Sequence, residues 1–180
     1  MTDIRKRRLA ALALAPALFA LATPAIAQQD PPDFAEVTAA TSPVADAYFR
    51  AYIALDWDAL EPLLGENASF KDPTAEHVFG GKLFEGKDVV AAHFRQGYAN
   101  VSQMSFAPLR VLHAGNYGIY EGELTWKLRL RVGGELQTTM PFTCILRVED
   151  GKVVEHRDYG DYTPFIAALE ERQRQADEAG

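Results

Sequence analysis

The second half of the chain alternates between apolar and polar residues and predicts four consecutive β-strands. Successive side chains of a strand point to opposite faces, so this period of two is typical of a sheet with one buried face. Gly133-Gly134 and Asp150-Gly151 interrupt the pattern and supply the turns of two hairpins. The chain therefore predicts an antiparallel meander. Its predicted strands are residues 106–113, 117–131, 135–148 and 152–159.

The two longest predicted strands each carry one apolar and one polar face. Apolar residues alternate with charged or hydroxyl-bearing residues along both of them. We expect the apolar faces to form the interior of the fold. A register shift of one residue would bury the charged faces instead, so the pattern also specifies the register of the strands. The apolar positions include Tyr120, Leu124, Trp126, Leu128, Met140, Phe142 and Cys144.

The first half of the chain shows a helical period instead. Ser42 is a suitable N-cap, Pro43 fits the first turn, and apolar residues follow at helical spacing up to Leu55. Helices come first and strands follow, which predicts an α+β fold with helices packed against one face of the sheet. Further helices are predicted at residues 58–64, 86–99 and 164–176, and a short strand at 68–71.

The N-terminal residues predict export. The basic segment Arg5-Lys6-Arg7-Arg8 precedes an apolar run from Leu9 to Ala22, and Ala25-Ile26-Ala27 follows. This is the pattern of a secretory signal peptide, and the run is short for a membrane span. We expect cleavage after Ala27, release into the bacterial periplasm by the general secretory route and no stable membrane insertion. An uncleaved anchor and twin-arginine export are the alternatives.

One domain is expected after the signal peptide, residues 1–27. We expect a flexible leader at residues 28–41, a domain at 42–165 and a C-terminal helical tail at 166–180. Cleavage removes four basic residues and one acidic residue, which changes the formal net charge from −7 to −10. This charge argues against nucleic acid as a partner. The lone cysteine, Cys144, excludes a disulfide within the chain.

Four short segments are similar to motifs of a known family. They are Ala51–Leu55, Ser69–Pro73, Phe84–Phe94 and the segment Asp150–Tyr159. Together they resemble the SnoaL-like branch of the nuclear transport factor 2-like superfamily over about residues 43–165. The resemblance implies a cone-shaped, strongly curved antiparallel sheet wrapped against about three N-terminal helices. The cone is open at one end and lined with apolar side chains. Relatives include ketosteroid isomerase, limonene epoxide hydrolase, polyketide cyclases and non-enzymatic binding domains.

The resemblance also implies roles for single residues. Similarity to ketosteroid isomerase places Tyr52 at the oxyanion-hole tyrosine and Asp72 at the carboxylate that shuttles the proton. Cys144 falls where that enzyme has a protonated aspartate, and a thiol is a weaker hydrogen-bond donor. Similarity to limonene epoxide hydrolase places Asp158 at the water-activating aspartate, but residues 123–127 lack the Arg-x-Asp pair that this chemistry requires.

The residues by themselves also predict acid–base chemistry. His156 and Asp158 lie two apart on the last predicted strand and therefore point the same way, and Asp72 ends a strand. A carboxylate in an apolar cone gains base strength. Structural roles are equally compatible with these residues: Asp72 can cap the turn before Pro73, Tyr52 can belong to the core, and Asp158 can satisfy a neighbouring donor.

Three classes of function follow for the cone. The first is cofactor-free isomerase or cyclase chemistry on a small apolar oxygenated molecule, the second is ligand binding without turnover, and the third is a protein-interaction domain whose cone is filled by its own side chains. No histidine has metal-ligand spacing, so we expect neither a metal nor a cofactor. The family resemblance implies a homodimer through the exposed face of the sheet, whereas the charged residues Lys127, Arg129 and Arg131 argue against a fully apolar interface. The expected ligand contacts are Phe94, Trp126, Met140, Phe142 and Cys144.

Overall fold

Six strands form one mixed sheet in the computed structural model, which describes residues 33–81, 83–130 and 133–179. The order of the strands is β2-β1-β6-β5-β4-β3. β1 and β6 pair in parallel, and the other neighbours are antiparallel. The strands are β1 Leu64–Lys71, β2 Phe84–Glu85, β3 Val101–Ala114, β4 Tyr117–Arg129, β5 Glu135–Glu149 and β6 Lys152–Gly160.

Five α-helices accompany the sheet in the described part of the chain. They are α1 Phe34–Ile53, α2 Trp57–Leu60, α3 Glu76–Phe79, α4 Lys87–Gly97 and α5 Thr163–Ala179, and a 3₁₀ turn, Glu61–Leu63, follows α2. The predicted α+β architecture is confirmed: the sheet is curved and unclosed, as in the nuclear transport factor 2-like cone. The short α3 and β2 had no counterpart in the prediction.

The predicted faces of the two long strands are confirmed by their burial. Every second side chain of β5 from Thr138 to Val148 is buried, and the residues between them are exposed or half-buried. On β4 the buried positions Tyr120 and Leu124 belong to the same alternation. Phe49 of α1 stacks on Tyr120, with ring centroids 4.0 Å apart. Helix α1 therefore covers the apolar face of the sheet.

The predicted start of the first helix is wrong. Helix α1 begins at Phe34, where Asp33 caps it by accepting a hydrogen bond from the Ala35 amide. Pro43 lies inside the helix, and the Ser42 hydroxyl donates to the Thr38 carbonyl at 2.7 Å instead of capping. Residues 34–41 are therefore helical rather than part of a flexible leader. The cleavage site and residues 28–32 of the leader lie outside the described residues.

Helix α5, predicted as a tail, contacts the sheet near its first turn. The Phe165 side chain is 2 % exposed and lies 5.1 Å from the Trp126 ring, centroid to centroid. The described residues, from 33 to 179, group into one compact unit. Among the described helices, none combines the length and apolar character needed to cross a bilayer.

Candidate functional site

A cavity of about 390 Å³ is lined by residues of all six strands and of helices α1, α3 and α4. Most of its lining is apolar or aromatic. Carboxylates and phenols in such surroundings interact strongly, because little water screens them. The lining residues that can titrate are Tyr52, Asp72, His93, Tyr98, Asp158 and Tyr162.

One hydrogen-bonded chain of five residues runs from the core to the cavity wall. Tyr48 contacts His156 Nδ1 at 3.1 Å, and His156 Nε2 contacts Asp158 Oδ1 at 2.7 Å. Tyr52 donates to Asp158 Oδ2 at 2.7 Å, and the Tyr52 and Tyr98 hydroxyls are 2.7 Å apart. His156 and Asp158 face the same way from β6, as their spacing predicts. The five residues connect α1, β6 and the end of α4.

The donors of this chain can be assigned from its connectivity. A phenol carries a single proton, so Tyr52, which donates to Asp158, must accept from Tyr98. Likewise, His156 donates Nε2–H to Asp158 and accepts from Tyr48 at Nδ1. Asp158 therefore accepts on both oxygens, and the polar side-chain groups of these five residues all have a hydrogen-bond partner.

The three tyrosines of this hydrogen-bonded chain stay protonated at neutral pH and act as hydrogen-bond donors. Burial raises the pKa of Tyr48, Tyr52 and Tyr98 well above the ordinary value of 10, and the Asp158 carboxylate raises each pKa further. A phenolate nucleophile is therefore unfavourable here. The phenols of Tyr52 and Tyr98, which line the cavity, are suited to stabilising negative charge that develops on a ligand oxygen.

Asp72 forms a second carboxylate–phenol pair at the cavity wall. Its Oδ1 accepts from the Thr74 and Ala75 amides, both at 2.9 Å, and from the Thr74 hydroxyl at 2.6 Å. Its Oδ2 accepts from the Tyr162 hydroxyl at 2.6 Å. The structural interpretation of Asp72 applies to Oδ1, whereas the catalytic one stays a prediction. Oδ1 caps the turn that follows β1, and Oδ2 pairs with a phenol that lines the cavity.

The structure brings most of the predicted site residues together. Tyr52, Asp72 and Asp158 line one cavity with Trp126, Met140 and Phe142. His156 is fully buried behind Asp158 and reaches the cavity through that carboxylate.

Two predicted ligand contacts lie outside the lining of this cavity. Phe94 is fully buried and stacks on Trp57, with centroids 5.4 Å apart. Cys144 is the cross-strand partner of Asp158, and burial raises the pKa of its thiol, with a further contribution from Asp158. Both residues therefore support the site from behind, because the side chains in front of them form the wall.

Sequence reasoning missed Tyr98 and Tyr162. Tyr98 caps the C-terminus of α4, and Tyr162 lies between β6 and α5. Tyr162 follows Asp158 by four residues, just beyond the motif Asp150–Tyr159, and this proximity was the available signal. Tyr98 follows Phe94 by four residues and so continues the apolar face of α4, which was an available signal, whereas Tyr162 lies between two elements, where periodicity does not apply.

A comparison with protein families identifies the family of the chain. The sequence profile of the SnoaL-like domain matches residues 45–156, which is more than half of the chain. The chain belongs to the SnoaL-like domain family. The resemblance predicted from the four motifs is therefore confirmed. A comparison with curated protein sequences gives no match.

Solved structures share the fold of this SnoaL-like domain at low sequence identity. A candidate SnoaL-like polyketide cyclase from Shewanella denitrificans OS-217 is 17 % identical with a TM-score of 0.64, over 73 % of this chain and 97 % of that one. A nuclear transport factor 2-like protein of unknown function from Burkholderia pseudomallei K96243 is 20 % identical with a TM-score of 0.57, over 72 % and 96 %. An epoxide hydrolase of the limonene epoxide hydrolase type from M. tuberculosis is 19 % identical with a TM-score of 0.57, over 78 % and 89 %.

One group of potential metal ligands occurs among the described residues of the SnoaL-like domain. Ligand atoms of Cys144, His156 and Asp158 lie within 4.8 Å of one another. A metal ion at this point would have to replace the hydrogen bond between His156 and Asp158, and all three side chains lie in the core. His156 and Asp158 form the middle of the five-residue hydrogen-bonded chain, and we interpret the group as part of that network with Cys144 packed beside it.

His93 is expected to make the stability of the domain depend on pH. Its ring stacks on Phe84, with centroids 3.7 Å apart, and burial lowers the pKa of His93 from 6.5 to about 4, with a smaller contribution from His156. The folded state thus binds fewer protons than the unfolded state between about pH 6.5 and pH 4. The stabilisation from neutral His93 is present above pH 6.5 and is lost as the pH falls through this window.

Urea unfolding of wild type and His93→Phe between pH 7 and pH 4 tests this expectation. The difference between their free energies of unfolding should change by on the order of 1 kcal/mol across the window, a value reduced for the partial exposure of the ring. The exposed His77 supplies the control variant His77→Asn, which should follow wild type. Parallel curves for wild type and His93→Phe would contradict the assignment.

Proposed function

We propose that the SnoaL-like domain binds a small apolar oxygenated molecule in its cavity and catalyses a proton transfer on it. Isomerisation and cyclisation of carbonyl compounds both require such a step. The observation that carries the proposal is that two carboxylate–phenol pairs, Asp72–Tyr162 and Asp158–Tyr52, contribute to one apolar cavity. A volume of about 390 Å³ is in the range of small-molecule sites.

Asp72 supplies the base in the proposed step. Its Oδ2 takes a proton from the carbon next to a ligand carbonyl, the C–H bond breaks, and the electron pair moves to the carbonyl oxygen as an enolate. The Tyr98 hydroxyl, at the cavity end of the five-residue chain, turns to donate to that oxygen. Return of the proton from Asp72 to a second carbon completes an isomerisation. Tyr52, Asp158 and His156 hold Tyr98 in place.

Exchange of ligand hydrogens with D₂O tests this function without knowledge of the natural substrate. Wild-type protein should accelerate exchange of the acidic C–H groups in a panel of cyclic enones and β-diketones, followed by proton NMR. Asp72→Asn should slow the accelerated exchange by about 100-fold, because it removes the base, and Tyr98→Phe by roughly 10-fold. Asp72→Asn keeps an oxygen for the Thr74 amide, so the turn is preserved.

The exposed carboxylate of Asp88 on α4 supplies a matched control, because Asp88→Asn leaves the lining of the cavity intact. Exchange that is unaffected by Asp72→Asn, or no faster than in buffer for the whole panel, would contradict catalysis. Retained binding of the same compounds would then favour the second candidate, a non-catalytic binding domain. That candidate is supported by the complete intramolecular hydrogen bonding of Asp72 and Asp158.

Two features of the sequence analysis stay predictions. Export with cleavage after Ala27 rests on residues outside the described part of the chain. A homodimer rests on the sheet, where the edge strand β3 exposes Leu109, Val111 and Leu112. We propose both as part of the biological setting of the cavity.

A further inference from the structure

We infer that the ligand of this cavity carries a cationic nitrogen, seated in a corner formed by the rings of Phe79, Trp126 and Tyr162. The inference rests on the proposed function in that both concern the same cavity, and it specifies the class of ligand: an apolar molecule with a protonated or quaternary amine. We call the three rings the aromatic corner.

The three rings stand almost perpendicular to one another. The Phe79 and Trp126 centroids are 6.1 Å apart at an interplanar angle of 88°, and those of Phe79 and Tyr162 are 5.7 Å apart at 83°. Trp126 and Tyr162 are 6.3 Å apart at 73°. A point equidistant from three centroids with these separations lies roughly 4 Å from each of them, within the ~6 Å range of a cation–π contact.

Charge at the corner complements a cation. The Tyr162 hydroxyl, at the edge of one wall, donates to Asp72, and Asp158 also lines the cavity. The lowered pKa of His93 leaves that lining residue uncharged at neutral pH. Among the described lining residues none is lysine or arginine, and Lys82, which follows Gly81 in the chain, lies outside the described residues. These groups attract a cation and repel a carboxylate or phosphate.

Edge-to-face packing of aromatic rings is also common in protein cores. Two observations distinguish the aromatic corner from ordinary core packing. Phe79 is 54 % exposed, although a ring that serves only the core is normally covered. All three rings line the cavity, whereas the neighbouring Phe165 is buried outside its lining. The rings therefore present surface to a ligand.

Three probes of nearly equal shape separate charge from size. They are 3-hydroxyphenyltrimethylammonium, its neutral carbon analogue 3-tert-butylphenol, and the anion 3-hydroxybenzenesulfonate. Binding is measured by calorimetry with residues 28–180 at 0.15 M salt, which screens the general attraction of an acidic protein for cations. The cation should bind about tenfold more tightly than the neutral analogue, and the sulfonate more weakly than either.

Variants of the corner test where the preference arises. Phe79→Leu and Trp126→Leu should each remove most of the tenfold preference while the neutral analogue still binds. Phe142, a lining ring outside the corner, supplies the matched control: Phe142→Leu should weaken both probes alike. Circular dichroism and thermal melts check that each variant folds, and Phe79→Leu is the safest because the ring is exposed.

The possible outcomes test the cation inference and the proposed function separately. Equal or tighter binding of 3-tert-butylphenol in wild type would overturn the cation class and leave the proposed function standing. A preference for the cation that survives Phe79→Leu and Trp126→Leu would overturn the aromatic corner as its source. Binding of none of the three probes would overturn this inference, whereas the proposed function is decided separately by the exchange experiment on enones and β-diketones.

Discussion

Replacing Asp158 by alanine is expected to lower the free energy of unfolding by about 3–5 kcal/mol. Asp158 is 1 % exposed and accepts from Tyr52 and from His156. Alanine leaves both donors in the core without an acceptor, and each unpaired donor costs about 1–3 kcal/mol. The measurement is equilibrium unfolding in urea at pH 7, followed by circular dichroism and tryptophan fluorescence.

Two further variants show whether this loss comes from the hydrogen bonds. Asp158→Asn keeps an oxygen that can accept from one of the two donors, so it should lose roughly half as much stability. Glu170, an exposed residue of α5, supplies the control variant Glu170→Ala, which should stay within about 0.5 kcal/mol of wild type. A loss below about 1 kcal/mol for Asp158→Ala would show that the buried chain is not a stabilising network.

Replacing Gly122 by alanine is expected to destabilise the domain by about 3 kcal/mol. A Cβ atom at Gly122 would lie 2.2 Å from the backbone oxygen of Ala107 and 3.0 Å from the Pro108 Cα. Both atoms belong to the backbone of β3, which has a register irregularity between Pro108 and Arg110, so the strand itself would have to move. Thermal and urea unfolding of the variant measure this cost.

Gly160 provides a matched glycine for comparison. A Cβ atom there would meet Cε of Met140 at 3.1 Å, and that atom ends a flexible side chain. Gly160→Ala should therefore cost less than about 1 kcal/mol. Similar losses for the two variants would indicate that glycine content, rather than the close approach of β3 to β4, explains the sensitivity of Gly122.

The strands and their faces could be predicted because their signals are local. Gly133-Gly134 and Asp150-Gly151 mark the turns around β5, and alternation along β4 and β5 shows which side chains point inward. The start of α1 could not be predicted in the same way, because the sequence offers two candidate N-caps. Asp33 and Ser42 are both good N-caps, and Pro43 fits a first turn. The helix begins at Phe34 and continues past Ser42, and Thr41 and Ala45 on either side of Ser42 are buried against the fold.

The candidate site depends on contacts between distant parts of the chain. Tyr52 and Asp158 are 106 residues apart, and Asp72 and Tyr162 are 90 residues apart. The family resemblance supplied Tyr52, Asp72 and Asp158, whereas Tyr98 and Tyr162 acquire a role only through hydrogen bonds to distant residues. The aromatic corner combines α3, β4 and the segment after β6, so it exists only once the sheet is assembled.

By itself, the sequence determined the α+β class, the apolar faces of the long strands and the family, because periodicity and short motifs are properties of neighbouring residues. The tertiary structure decided which oxygen of Asp72 caps a turn and which one pairs with Tyr162. It also placed Cys144 and Phe94 behind the cavity wall and Tyr98 on it. Hydrogen-bond direction and cavity lining are relations between side chains in space, and chain order alone does not encode them.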